Sequence, residues 1–362
     1  MGGGREVDQV ADRVGGFSRL GPPRASVDGL PEVVEQFWRD AGDVDRASAI
    51  PAAHLDALGR LGLYGALAPR AQGGLGLTPH ELATVVEDLA SGCLGSTFVW
   101  IQHFRLLQSL LDPAAPANLR AWLPDVAAGA LKGGIALVGL MPGPPRLLAT
   151  PTAGGWRLDG EAPWVSGWGL VDLLLVTARG PHDTVASLVL DAEPHPGLAV
   201  EPARLSAMNA SATVHLRFDG VFVGGGRLVS QVPVEARPEG EGLRRNGSLA
   251  LGLVRRCCLL LGPTPLDQAL RRCRERLDTA TAADMPAARA AASALAVQAA
   301  HAVGVARGSR AALSGDPAER LAREAAVLLV FGSRPGIKRA LQDHFMPAES
   351  AEAGFQEAPP DL

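Results

Sequence analysis

Apolar residues along this chain recur first at helical spacing, then in short alternating runs, then at helical spacing again. Val33, Val34, Phe37 and Trp38 form one stripe, and Leu55, Leu58, Leu61 and Leu63 form a second. Residues 67–77 are too rich in glycine for a helix and read as a turn-bearing loop. Thr78, Pro79 and Glu81 then make a capping box with proline at the first helical position, and Leu82, Val85, Val86 and Leu89 follow on one helix face. A further helix runs from about Ser96 to Leu111 and ends at Pro113.

From about Ala136 to Val229 the period shortens to two. Trp156 and Leu158 share a strand face, and Ala162 and Trp164 continue the alternation. Asp159-Gly160 between them reads as a two-residue hairpin turn, because glycine supplies positive φ cheaply. Residues 173–177, 187–190 and 213–218 read as further strands, with Asp219-Gly220 as another turn. Residues 249–261, 265–277 and 286–313 return to helical spacing, and Asp316-Pro317-Ala318-Glu319 opens a fourth helix that ends near Gly332. The predicted fold is α+β and mostly α: an N-terminal helical domain, a central small β-barrel or sandwich, and a C-terminal four-helix bundle. The predicted boundaries are a flexible N-terminus at 1–30, helical domain at 31–133, β domain at 134–230, polar linker at 231–246, bundle at 247–345 and disordered tail at 346–362.

Composition narrows the function classes. At 362 residues there is room for two or three domains, and 47% hydrophobic with 20% charged residues points to globular rather than disordered chain. A net charge of -4 supplies no basic face for nucleic acid. Residues 1–6 hold no apolar stretch of the kind a signal peptide needs, and no run approaches the roughly 20 apolar residues of a membrane span, so a cytoplasmic protein is expected. Cys93, Cys257, Cys258 and Cys273 form no C-x-x-C pair and have no histidine at ligand spacing; buried free thiols are expected, with no metal site and no disulfide framework.

Several words in the chain occur in a particular order: Gly62-Leu63-Tyr64 through Pro69, Gly73-Gly74-Leu75-Gly76, a helix with Glu87, then Cys93-Leu94-Gly95-Ser96-Thr97. The run from Trp156 to Gly169 follows, then Met208-Asn209-Ala210-Ser211-Ala212-Thr213 and Phe218-Asp219-Gly220-Val221. From about residue 31 to 345 this order resembles the acyl-CoA dehydrogenase superfamily. On residue type alone Trp156 and Trp164 both fill a small β core. The resemblance implies instead that Trp164 packs along a flavin ring, with Val165 beside it and the Ser166 hydroxyl reaching the ring edge.

The same resemblance implies that Val138, Leu140 and Met141 form the other cofactor loop, and that Gly332 and Arg334 lie at the cofactor phosphates. Here the sequence departs from the family: Leu140 replaces a threonine, Met141 an acid, and Pro144 and Pro145 lack an N–H. The run Arg274 to Thr279 has no Phe-Gly after its arginine, unlike the family's cationic arm. Thr97, Phe98 and Ile101 would line an acyl pocket with His103 nearby, although on residue type this is a plain apolar helix face with a core histidine. Removing an α proton from an acyl thioester needs a carboxylate base. The two positions that carry it in the family hold Arg255 and the run Ile337-Lys338-Arg339-Ala340-Leu341, while Glu349, Glu352 and Glu357 fall in the tail, so no catalytic residue is named.

The resemblance implies an FAD-dependent oxidoreductase that oxidises the α,β-bond of an acyl thioester on CoA or a carrier protein. An electron-transfer partner and a homo- or hetero-oligomer built through the C-terminal bundle go with it. Two alternatives stand beside that reading: a catalytically degenerate paralogue that serves as a binding or partner subunit, and a flavin-dependent monooxygenase on the same fold.

Overall fold

The computed structural model of the chain describes residues 20, 27–236, 242–332 and 334–346. Most of the expected flexible N-terminus, and Glu349, Glu352 and Glu357, lie outside the described residues. The described residues fall into two compact units, 27–236 and 242–346.

The first unit opens with helices α1 (Leu30–Arg46), α2 (Ala52–Arg60), α3 (Pro79–Gly92), α4 (Leu94–Leu111) and two short ones, α5 (Ala117–Arg120) and α6 (Leu123–Ala128). Helix α1 buries Leu30, Val34, Phe37, Ala41 and Val44, one stripe of an amphipathic helix. The capping box of α3 forms as predicted: Glu81 N–H donates to Thr78 Oγ1 at 3.2 Å, and Thr78 N–H to Glu81 Oε2 at 2.7 Å. Helix α4 is buried all round from Leu94 to Phe104, so it is the spine of this unit rather than a surface element.

Eight strands follow: β1 (Gly133–Ala136), β2 (Leu147–Thr152), β3 (Gly155–Val165), β4 (Leu173–Gly180), β5 (Thr184–Asp191), β6 (Leu198–Pro202), β7 (Val214–Gly224) and β8 (Leu228–Pro233). They make one mixed sheet in the order β6-β7-β3-β2-β4-β5-β8, with β1 parallel to β4. Leu158 and Ala162 of β3, Val176 of β4, Leu188 of β5 and Phe218 of β7 enter a single core, so the sheet curls round one set of side chains.

Neither predicted Asp-Gly turn is a turn. The turn into β3 is Ala153-Gly154, and both β3 and β7 run straight through their Asp-Gly pairs as paired strands. The β3–β7 register shifts between Leu158 and Gly160, and Gly160 (φ +125) and Gly220 (φ +66) absorb the bulge. Asp159 Oδ1 accepts the Gly220 N–H at 3.0 Å, tying one bulge to the other. Local sequence asks only for positive φ at these glycines; two flanking strands, β2 and β7, convert that into a bulge.

The second unit holds α7 (Leu243–Leu261), α8 (Pro265–Thr279), α9 (Met285–Arg307), α10 (Pro317–Val330) and α11 (Pro335–Phe345). A fifth short helix thus follows the four expected. Of the expected linker, residues up to Pro233 extend β8, Val234–Ala236 form a single 3-10 turn, and α7 begins at Leu243. Helix α9 buries Ala288, Ala292, Ala296, Ala299 and Ala300, small residues that let helices approach closely. Arg289 is buried among them, donating to Ser293 Oγ and to the Leu328 carbonyl, and burial pushes its pKa down to about 10. Asp316 caps α10 through Ala318 N–H at 3.0 Å and pairs with Arg307 at 2.5 Å. All four cysteines are buried free thiols, and no helix among the described residues is long and apolar enough to cross a membrane.

Candidate functional site

Strand β3 places its two tryptophans oppositely. Trp156 is 8% exposed and belongs to the sheet core, as alternation predicts. At the other end the register to β7 slips between Ala162 and Val165, so Pro163 and Trp164 share the space of one residue. Trp164 is thereby driven into left-handed backbone (φ +63) and its side chain is 70% exposed, which ends the alternation the sequence suggested. A bulky aromatic held in that region costs about 1–2 kcal/mol, and the exposed indole face recovers none of it by burial.

Next to it Ser166 is buried, and its Oγ lies 2.7 Å from Thr213 Oγ1, which lies 2.7 Å from Ser211 Oγ. Three hydroxyls own three hydrogens and spend two on each other, leaving one to donate outward. Gly167 N–H donates to the Ser211 carbonyl at 2.8 Å and Trp168 N–H to Ala212 at 3.2 Å, so the two loops are laced together. Met208 (φ +62) and Ala212 (φ +47) flank this lacing in left-handed backbone. With Trp164 they make three of the five non-glycine residues of positive φ among the described residues, and such strain gathers at functional sites. The register also sets His215 opposite the Trp164 bulge. Its Nε2 lies 3.1 Å from Glu161 Oε2, and the hydrogen bond from Arg146 holds the Glu161 carboxyl below its ordinary range.

Val138 and Leu140 lie on a 3-10 turn after β1 that Met141 caps, and on β1 a Cβ at Gly134 would stand 2.9 Å from Leu174 Cδ2 and 3.0 Å from Val171 Cγ2, with the Ser166 carbonyl at an ordinary 3.6 Å. The turn's amides are all used: Gly139 N–H donates to Thr177 Oγ1 of β4, and Leu140 N–H to Leu137 and Met141 N–H to Val138 within the turn, each at 3.1 Å. Arg179 closes it from β4, donating to the Gly139 carbonyl at 2.9 Å and the Met141 carbonyl at 3.2 Å. Sequence reading missed Arg179, which acts across a strand pairing and leaves no local signal, and it placed Thr213 within the Met208 to Thr213 run without giving it a part in the site.

Thr97, Phe98 and Ile101 are buried in α4, and Thr97 Oγ1 donates to the Cys93 carbonyl at 2.8 Å. His103 Nδ1 accepts the Gly133 N–H at 2.9 Å. Burial pushes its pKa down to about 3 against the opposing Val126 and Tyr64 carbonyls, so it is a neutral core histidine. In the second unit Arg255 is buried on α7, Gly332 turns in left-handed backbone (φ +60) after α10, and Arg334 precedes α11. The residues after Gly336 form α11, with Ile337 buried and no carboxylate through Leu341.

A helical layer on a curled mixed sheet, a laced Trp164–Ser166 loop and a carboxy-terminal set of helices define the acyl-CoA dehydrogenase class of fold. Residues 26–130 match the family model described as acyl-CoA dehydrogenase, N-terminal domain, and this part of the chain belongs to the acyl-CoA dehydrogenase superfamily. It is 30% identical over 233 residues to L-evernosamine nitrososynthase of a Micromonospora species, covering 59% of this chain and 53% of that one. It is 27% identical over 220 residues to the bovine mitochondrial very long-chain specific acyl-CoA dehydrogenase, covering 55% of this chain and 33% of that one. The chain thus matches about half of the first relative's length and a third of the second's. Among solved structures, the dibenzothiophene monooxygenase TdsC of Paenibacillus sp. A11-2, solved with FMN and indole, superposes with a TM-score of 0.71. That match covers 88% of this chain and 96% of that one at 19% identity, a likeness of fold.

Proposed function

We propose that this chain is a flavin-dependent oxidoreductase, and that it works as a monooxygenase. The observation that carries the flavin reading is Trp164: a strained, exposed indole beside a hydroxyl chain with one hydrogen to give. These residues fit the ring of a flavin, Trp164 by stacking and Ser166 by donating to its polar edge. The amides of residues 139–141 add no donors, since each is already used, and Arg179 holds the turn through its Gly139 and Met141 carbonyls. When bound, a flavin supplies hydride acceptance or oxygen activation. FAD is what the family resemblance implies, with Gly332 and Arg334 toward its phosphates, while TdsC carries FMN.

Two facts favour oxygen over acyl-thioester dehydrogenation. The positions that resemblance assigns to the α-proton base hold a buried arginine, Arg255, and a helix start without a carboxylate. The nitrososynthase and the monooxygenase are similar to this chain. His215, hydrogen-bonded to Glu161, brings an imidazole opposite Trp164. Assembly through the second unit is supported by its exposed apolar side chains, Val305 at 84%, Val330 at 70% and Leu313 at 60%.

The test is a titration of the purified chain with FAD and FMN separately, followed by oxygen uptake with a flavin reductase and nicotinamide. Flavin perturbation with oxygen-dependent turnover supports the reading. Bleaching of bound flavin by an acyl-CoA without oxygen use would move the chain to the dehydrogenases. Uptake of neither flavin would make it a binding subunit.

A further inference from the structure

Within the first unit lies a cavity of about 10 Å³, walled among others by Tyr64, Trp100, His103, Lys132, Leu170 and Val171. Three of these residues, each at most 2% exposed, carry a buried polar atom that makes no hydrogen bond: Tyr64 Oη, Trp100 Nε1 and His103 Nε2, the ring of the last lying near the Val126 and Tyr64 carbonyls without a bond from Nε2 to either. Buried polar atoms are almost always satisfied, so three orphans around one void point to an occupant.

The donor inventory selects it. His103 Nδ1 accepts from Gly133, so the neutral ring carries its hydrogen on Nε2; the indole Nε1 is always a donor; the phenol both gives and takes. A water molecule has two lone pairs for the two N–H groups and a hydrogen for the phenol oxygen. The volume is that of about one water. Charge argues against an anion: besides burial, which acts most, the Asp56 and Asp172 carboxylates keep the Tyr64 phenol protonated, and these two negative charges face a single ammonium, Lys132, 6.0 Å from the Tyr64 ring centroid.

We propose that this cavity is a binding site for one water, held jointly by Trp100, Tyr64 and His103, and that it positions the loop continuing from Ser166. Leu170 and Val171 wall the cavity, and both their amides donate to the Gly167 carbonyl, at 2.8 and 3.0 Å. Through these two hydrogen bonds a shift of Val171 is passed to Gly167 (φ +89) and with it to Ser166. The water therefore fills the space between helix α4 and the wall residues Leu170 and Val171, and supports by packing the loop that presents Ser166, whatever Ser166 itself meets.

A crystal structure of the full chain, with a second crystal soaked in bromide, tests the assignment. One peak within hydrogen-bonding distance of all three atoms, without anomalous bromide signal, is expected. A bromide peak, an empty cavity, or protein partners for the three atoms would overturn it. Tyr64→Phe removes only the hydroxyl, and hydrogen exchange at Leu170 and Val171 should then quicken roughly five- to tenfold, as loss of one hydrogen bond predicts. Trp100→Phe should do the same, and unchanged exchange in both variants overturns the coupling to the loop.

Discussion

Trp156 and Trp164 lie on one strand, yet a single slip of register gives them opposite roles. Trp156→Ala should lower stability by about 3–5 kcal/mol, the usual cost of emptying a large core site. Trp164→Ala should change it by less than about 1 kcal/mol, because the indole buries little, while flavin uptake is lost. Urea unfolding and flavin titration of both variants separate the two effects, and a large stability loss at Trp164 would contradict its exposure. That the stretch mattered was legible from its residues; that Trp164 turns outward was not, since alternation continued through it and only the slip against β7 breaks it.

The paired bulges of β3 and β7 show how a local signal acquires its meaning from neighbouring strands. A Cβ on Gly160 would stand 2.1 Å from the Arg146 carbonyl, whereas a Cβ on Gly154, in the real turn at φ +78, would touch nothing within 4 Å. Gly160→Ala is expected to cost on the order of 3 kcal/mol or to prevent folding. Gly154→Ala pays only the left-handed backbone, about 1 kcal/mol. Thermal melts of the two variants distinguish them, and equal losses would mean that Asp159-Gly160 is an ordinary turn after all. At the other end of the chain Asp316→Ala removes a cap and an ion pair together, for about 1–2 kcal/mol in urea unfolding. Here the sequence signal was complete, because a cap and its helix are adjacent in the chain.

For the molecule as a whole, acid stability should carry the mark of His103. Its folded pKa of about 3 lies below the ordinary value near 6.5, so the folded state resists protonation. Stability is fully present above about pH 6.5 and falls as pH drops toward 3, by up to about 1.4 kcal/mol per pH unit. Asp316 and Glu161, both held low by arginine hydrogen bonds, add losses in the same direction at more acid pH. Urea midpoints at pH 7 and pH 5 check this, and His103→Gln should flatten the difference. The chain by itself determined the helices, their caps, the inward faces of the strands and the superfamily, because each rests on periodicity or on words of neighbouring residues. Tertiary structure alone decided which Asp-Gly pairs are bulges, that Trp164 faces out, that Arg179 and Thr177 close the 138–141 turn, and that three polar side chains surround one void. Those outcomes depend on strand register and on contacts between residues distant in the chain, which no local pattern encodes.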